Sequence, residues 1–310
     1  LRVREVAAED QGLLRIAGLL LASVFALKAA VVPLHLWLPR TYAAATPAVA
    51  ALFAIMTKVG VYSLIRVVPQ VFGEGAGAAE WVPAPWLFPA ALVSACIGFA
   101  GVFTARAMSE QAAYAIIGST GTLLIAVAGW SEASLGAGLY YLVHSTLAGA
   151  ALFLVADVVA RRRGSFGDTA SPGPEFIGRG TVALMFMAAA IAATGLPPLS
   201  GFIGKLLILQ SAAMLPNWGW AWGVILCTTF IAVIGFARVG SALFWKTAED
   251  CAVPAAPGTS LDFAAPALAL LCLAALAAGA GGASAYAEAT AAQVLAPAQT
   301  AAAVLTEGAK

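Results

Sequence analysis

The stretch GLPPLSGFIGKLLILQ, residues 195–210, interrupts a long apolar run. Pro197 and Pro198 remove backbone donors, three glycines weaken the helix, and Lys205 adds a charge. The surrounding run, about 181–214, is too long for one straight span, because roughly 20 residues cross a bilayer. Unwound backbone survives at membrane depth only where protein buries it or where it lines a wet cavity. The segment therefore predicts a discontinuous helix that admits water to mid-membrane, with Gly201 in the break and Lys205 about two turns past Pro198.

The rest of the chain supplies the setting. Of 310 residues, 62% are hydrophobic and 10% charged, with a mean hydropathy of +0.92. Soluble domains carry about 25% charged residues. The expected fold class is all-α: a polytopic membrane protein of about eight transmembrane helices, some of them broken. The spans fall near 12–38, 45–69, 86–105, 110–129, 135–160, 181–214, 219–245 and 263–283. A net charge of +1 offers no basic surface for nucleic acid. No nucleophile–base pair, phosphate loop or metal-ligand set is present, so the sequence implies neither soluble catalysis nor a cofactor or metal.

Between the spans, GEGAGAAEWVPAPW (73–86) has the glycines, prolines and tryptophans of an interfacial loop. The most polar segment, RRRGSFGDTASPGPEFIGRG (161–180), leaves room for a short interfacial helix. KTAEDCAVPAAPGTSLD (246–262) reads as a flexible connection. The alanine-rich tail after 284 is expected to be poorly determined. Cys96, Cys227, Cys251 and Cys272 are widely spread and expected to be inert, with three of them buried. The charged start LRVREVAAEDQG is no signal peptide, and Leu1 in place of methionine predicts a fragment, a processed chain or an ordered portion. Counting Lys and Arg on alternate sides gives seven against four, which places the Arg161–Arg163 side in the cytoplasm and both chain ends outside.

Three lysines stand inside apolar segments: Lys28, Lys58 and Lys205. Each costs about 2.5–3.5 kcal/mol at a helix centre unless it is partnered or hydrated. A desolvated lysine exchanges its proton near neutral pH, which suits a relay. Lys246 lies at a span end and is assigned to snorkelling instead. His35 follows Lys28 by two turns, about 10.5 Å along one face, with Pro33 freeing a carbonyl between them. His144 sits mid-span, and it reads either as a proton carrier or as a hydrogen-bonded core residue. Asp157 reads better as an i,i+4 ion pair with Arg161 than as a proton carrier.

The segments ALKAAVVPLHLWLPRTYAAATPAVAALFAIMTKVGVYSLIRV and TGLPPLSGFIGKLLILQ resemble the antiporter-like subunits shared by Mrp-type cation/proton antiporters and respiratory complex I. The likeness runs from about residue 12 to 246 and is nearest to the Mrp type. It implies a family fold of fourteen core helices with two inverted five-helix repeats, each containing a broken helix. This chain would begin at the seventh helix. Residues 1–11 would then be an outside-facing start, 12–70 the end of the first repeat, 71–246 the second repeat, and 247–310 a final helix and tail.

The resemblance further implies proton translocation through Lys28, Lys58, His144 and Lys205, supported by Pro33, His35, Pro197, Pro198 and Gly201. It implies other membrane subunits as partners, together with H+ and a monovalent cation (Na+, with K+ and Li+ as alternatives), in a bacterial cytoplasmic membrane.

Three departures stand out. By the resemblance, the glutamate expected to pair with Lys28 would belong to helices upstream of the seventh, where this sequence is expected to start. A lysine often found four or five residues after the histidine is replaced by Ala148 or Gly149, leaving hydroxyls such as Ser145 and Thr146, or water, to serve the central relay. Arg40, Thr41 and Tyr42 stand where complex I subunits carry an Asp-Ala-His type segment. The leading expectation is an antiporter subunit. The alternative is a proton-pumping membrane subunit of NADH-quinone oxidoreductase or a related hydrogenase, and a third is an inactive half-length product.

Overall fold

The computed structural model describes residues 10–173, 175–246 and 260–296. Its regular structure is helical: α1 Gln11–Lys28, α2 Trp37–Ala44, α3 Pro47–Phe72, α4 Ala84–Thr104, α5 Met108–Val127, α6 Glu132–Arg162, α7 Arg179–Thr194, α8 Ser200–Ala212, α9 Trp218–Phe244, α10 Ala264–Ala278 and α11 Ala280–Leu295. Among the described residues, six stretches are long and apolar enough to cross a membrane alone. The other two expected passes are α5 and the broken pair α7–α8. This is a polytopic all-α membrane protein.

Helix α5 explains itself by burial. Only Glu110 and Tyr114 along its length keep appreciable exposure, so its polar run Gly118-Ser119-Thr120-Gly121-Thr122 faces protein rather than lipid. Close approach to α4 depends on small residues: a Cβ on Gly98 would stand 2.1 Å from the Gly118 nitrogen. Such small-residue contacts replace the hydrophobic drive that lipid removes between membrane helices. At the other extreme α1 is almost wholly exposed, with Gly18 its sole buried residue.

The arginine-rich end is tied together by named bonds. Arg161 pairs with Asp157 at 2.6 Å, as the i,i+4 spacing predicts. Arg162 donates to the Ile177 carbonyl (2.6 Å) and lies 4.3 Å over the Phe263 ring. Arg163, fully buried, donates to the carbonyls of Gly167, Thr169 and Ser171. The loop so gathered returns Asp168 to the start of α5, where its carboxylate accepts from the Ser109 N–H at 2.7 Å. That satisfies an otherwise open helix-terminal donor. Among the described residues of this loop the helical structure is one 3-10 turn, Gly164–Phe166, and the Gly167, Thr169 and Ser171 carbonyls are taken by Arg163.

Other expectations need correcting. The tail is helical to Leu295, because alanine carries the highest helix propensity and Ala287, Ala291 and Val294 give α11 a buried stripe, while residues 297–310 lie outside the described residues. Cys96, Cys227 and Cys272 are exposed, not buried, since they lie on the outward faces of α4, α9 and α10. Cys251, most of the 246–262 connection and the first nine residues lie outside the described residues. Lys246 is exposed at the end of α9, consistent with snorkelling.

A buried polar axis as the candidate functional site

Lys58 sits in the middle of α3 with no exposed surface. Its ammonium donates to Ser119 Oγ at 2.9 Å and Thr120 Oγ1 at 3.0 Å, both on α5. These hydroxyls are where they are because α5 is shielded from lipid and can keep them. Ser119 passes its own hydrogen to the Ile116 carbonyl (2.9 Å).

His144, on α6, is 1% exposed. Its Nδ1 lies 2.9 Å from Ser200 Oγ at the first residue of α8, and Gly201 stands beside both the ring and the Ala192 carbonyl. Tyr141, one turn earlier, packs against it with the rings tilted by 43° and their centroids 5.5 Å apart. Gly201 makes this approach possible, since a Cβ there would lie 2.4 Å from the Ala192 oxygen and 2.8 Å from His144 Nε2.

Lys205, 5% exposed, reaches back across the break. Helix α7 ends in a Schellman closure: the Gly195 N–H meets the Ala192 carbonyl (3.0 Å) and the Leu196 N–H the Ile191 carbonyl (3.1 Å). Gly195 supplies the required positive φ of 73°. The Thr194 carbonyl has no N–H to accept along the helix, and it takes the Lys205 ammonium at 2.8 Å. The negative end of the helix dipole favours the cation there. Thr229 Oγ1 on α9 accepts a second bond at 2.6 Å, and the Phe99 ring centroid lies 5.3 Å away. Among the described residues no carboxylate pairs with Lys58 or Lys205. Pro197 and Pro198 lie on the exposed side of the break.

The first break is built differently. Helix α1 stops at Lys28, and residues 29–36 form turns around Pro33 before α2 starts at Trp37. Lys28 and His35 therefore do not share one helical face, and the two-turn geometry expected from their spacing is absent because the helix has ended. Lys28 is exposed, and His35 Nδ1 is buried without a hydrogen-bond partner. The structure thus gathers Lys58, His144 and Lys205 about α5 and α6, and leaves Lys28 and His35 apart from them.

Sequence reasoning passed over Ser119, Thr120, Ser200 and Thr229. The signal was there in part, as hydroxyl runs inside apolar spans: GSTGT at 118–122 and CTTF at 227–230.

Residues 5–233 match the family model described as NADH:quinone oxidoreductase/Mrp antiporter, TM. The chain belongs to that family. Within it, the chain is 35% identical over 266 residues to a Rhizobium meliloti (strain 1021) protein named as a probable K(+)/H(+) antiporter subunit, covering 76% of this chain and 49% of that one. It is 31% identical over 262 residues to an Na(+)/H(+) antiporter subunit of Bacillus subtilis (strain 168), covering 82% and 50%. A chain of the Mrp complex from Dietzia sp. DQ12-45-1b superposes with a TM-score of 0.75 at 24% identity, over 91% of this chain and 60% of that one. The chain thus spans about half the length of the curated antiporter-family relatives it matches.

Proposed function

We propose that this chain is part of a multi-subunit monovalent cation/proton antiporter, a secondary transporter rather than an enzyme, and that protons move along Lys58, His144 and Lys205. The observation that carries the reading is a pair of lysines buried in the bundle and held only by hydroxyls, a helix-end carbonyl and a ring face. A permanent ion pair would fix each charge; neutral acceptors let the ammonium deprotonate and the side chain swing. The histidine between them links to the second break through Ser200. The relatives' names support exchange of protons for Na+ or K+, and the Mrp neighbour supports other membrane subunits as partners in a bacterial cytoplasmic membrane. Exposure of Lys28 and of the Pro197–Pro198 side of the break fits a chain whose remaining partners come from elsewhere in the complex. In that assembly Lys28 extends the path.

The test uses everted membrane vesicles carrying the complete set of subunits, energised to an acid interior and followed with a pH-sensitive dye. Addition of Na+ or K+ should collapse the gradient, and Lys205→Ala should remove that response. No response to any cation, together with NADH-driven acidification that still needs Lys205, would move the chain to the respiratory-pump class.

A further inference from the structure

Cys96 on α4 and Cys227 on α9 carry free thiols, both exposed on the outside of the helical bundle. Their helices run parallel and in register. Phe99 and Thr229 both meet the Lys205 ammonium, the Phe103 backbone lies against Gly235, and Arg238 donates to the Ala105 carbonyl, so residue numbers rise together along the seam. A Cβ on Gly235 would stand 2.9 Å from the Val102 carbonyl oxygen and 3.0 Å from the Phe103 backbone, which brings the two main chains almost into contact.

Within that register the thiols share a depth and a flank. Cys96 precedes Phe99 by three residues and Cys227 precedes Thr229 by two, a difference of about 1.5 Å along the axes. Cys96 also lies two turns before Phe103, and Cys227 three turns before Arg238, the residues that meet on the outer side of the seam. The two sulfurs are near enough to interact electrostatically. A disulfide needs Cα atoms about 4.4–6.8 Å apart, a spacing that helices touching at a glycine can reach. Around the pair the exposed residues are apolar, Val93, Leu226 and Phe230 among them, so an oxidant must arrive dissolved in lipid.

We propose that Cys96 and Cys227 are a redox modification site, oxidised by a membrane-soluble quinone to a disulfide that clamps α4 to α9. In the step two S–H bonds break and one S–S bond forms. The two electrons and two protons reduce the quinone to its hydroquinone. Quinones are established acceptors for dithiol oxidation in the bacterial envelope. The clamp matters because each cysteine neighbours a partner of Lys205, Phe99 on α4 and Thr229 on α9. Fixing the two helices together restrains both contacts. The bond stands on geometry alone, whereas its effect on exchange rests on the function proposed above.

The test treats vesicles carrying the complete set of subunits with decylubiquinone, followed by alkylation, digestion and mass spectrometry. A peptide linked through Cys96 and Cys227 should appear in most chains, with Cys272 still alkylated. Cation-induced collapse of the gradient should slow about threefold or more, the scale of one interhelical hydrogen bond, and dithiothreitol should reverse both changes. Cys96→Ser and Cys227→Ser should exchange normally before treatment and lose the response to quinone. Absence of the linked peptide after decylubiquinone would overturn the site, and a link made only by copper-phenanthroline would overturn the quinone as its oxidant. Linked chains that exchange at the unlinked rate would overturn the clamp. A link that forms in vesicles with no response to any cation would support the thiol site and remove the antiporter reading instead.

Discussion

The two helix breaks contain the same ingredients and end in opposite states. At the first, a lysine closes α1, a proline lies five residues on, and the lysine side chain is exposed. At the second, a proline pair precedes the lysine, and the ammonium is buried on a carbonyl, a hydroxyl and an aromatic face. What differs is enclosure. The second break is flanked by α5, α6 and α9, which bring His144 and Thr229 to it, whereas within this chain α1 packs mainly on α3 and the 3-10 turn Gly77–Ala79 and the Lys28 side chain stays outside that packing. A broken helix supplies open backbone groups; the surrounding helices decide whether a charge can use them.

The comparison can be broken most directly at Lys205. Lys205→Ala should lower exchange about 100-fold or more, a proton-transfer loss, with assembly retained on native gels. Gly201→Val comes next: its side chain would collide with the Ala192 carbonyl and the imidazole. Exchange should fall about tenfold, and overpacking should lower the thermal midpoint by the equivalent of about 1–3 kcal/mol. Thr229→Val removes one of the two acceptors of Lys205 while preserving volume, and should cost severalfold in rate, with Thr229→Ser recovering it; hydrogen bonds between membrane helices average about 0.6 kcal/mol and reach about 1.7.

At the first break the matching change is Ser94→Ala. The Ser94 hydroxyl accepts from the Val32 N–H at 3.0 Å, so its loss should lower the thermal midpoint by a similar margin while exchange changes less than in Thr229→Val. A larger effect on exchange at Ser94 than at Thr229 would reverse the ranking of the two breaks. Arg161→Ala should do least: its partner is Asp157, its own side chain is 62% exposed, and exposed pairs contribute about 0–1 kcal/mol by thermal melts.

Much of this was legible from residue order. Long apolar runs placed the passes, the GLPPLSG interruption placed the second break, and the four-residue spacing of Asp157 and Arg161 gave their pair. The hydroxyl partners were not legible, because they sit 61, 62, 56 and 24 residues from the groups they bind. Periodicity says which face of a helix is apolar, not which helix will stand opposite it. The Lys28–His35 spacing misled for a related reason: counting turns assumes an unbroken helix, and the chain leaves the helix at Ala29. The cysteines misled because an apolar segment in a membrane protein is as often turned to lipid as to the core. As far as residue 296, the alanine-rich tail was undervalued by weighing its weak amphipathicity above helix propensity.

One consequence of the buried α5 concerns how freely each helix can change. Within this chain helix α1 packs mainly on α3 and the Gly77–Ala79 turn, so apolar exchanges on its other faces should leave the contacts inside this chain intact. Helix α5 is enclosed along nearly its whole length, glycine against backbone and hydroxyl against lysine, so even Ser119→Val or Gly118→Ala has nowhere to go. The pass that carries the polar run Gly118–Thr122 should therefore be the least tolerant of substitution.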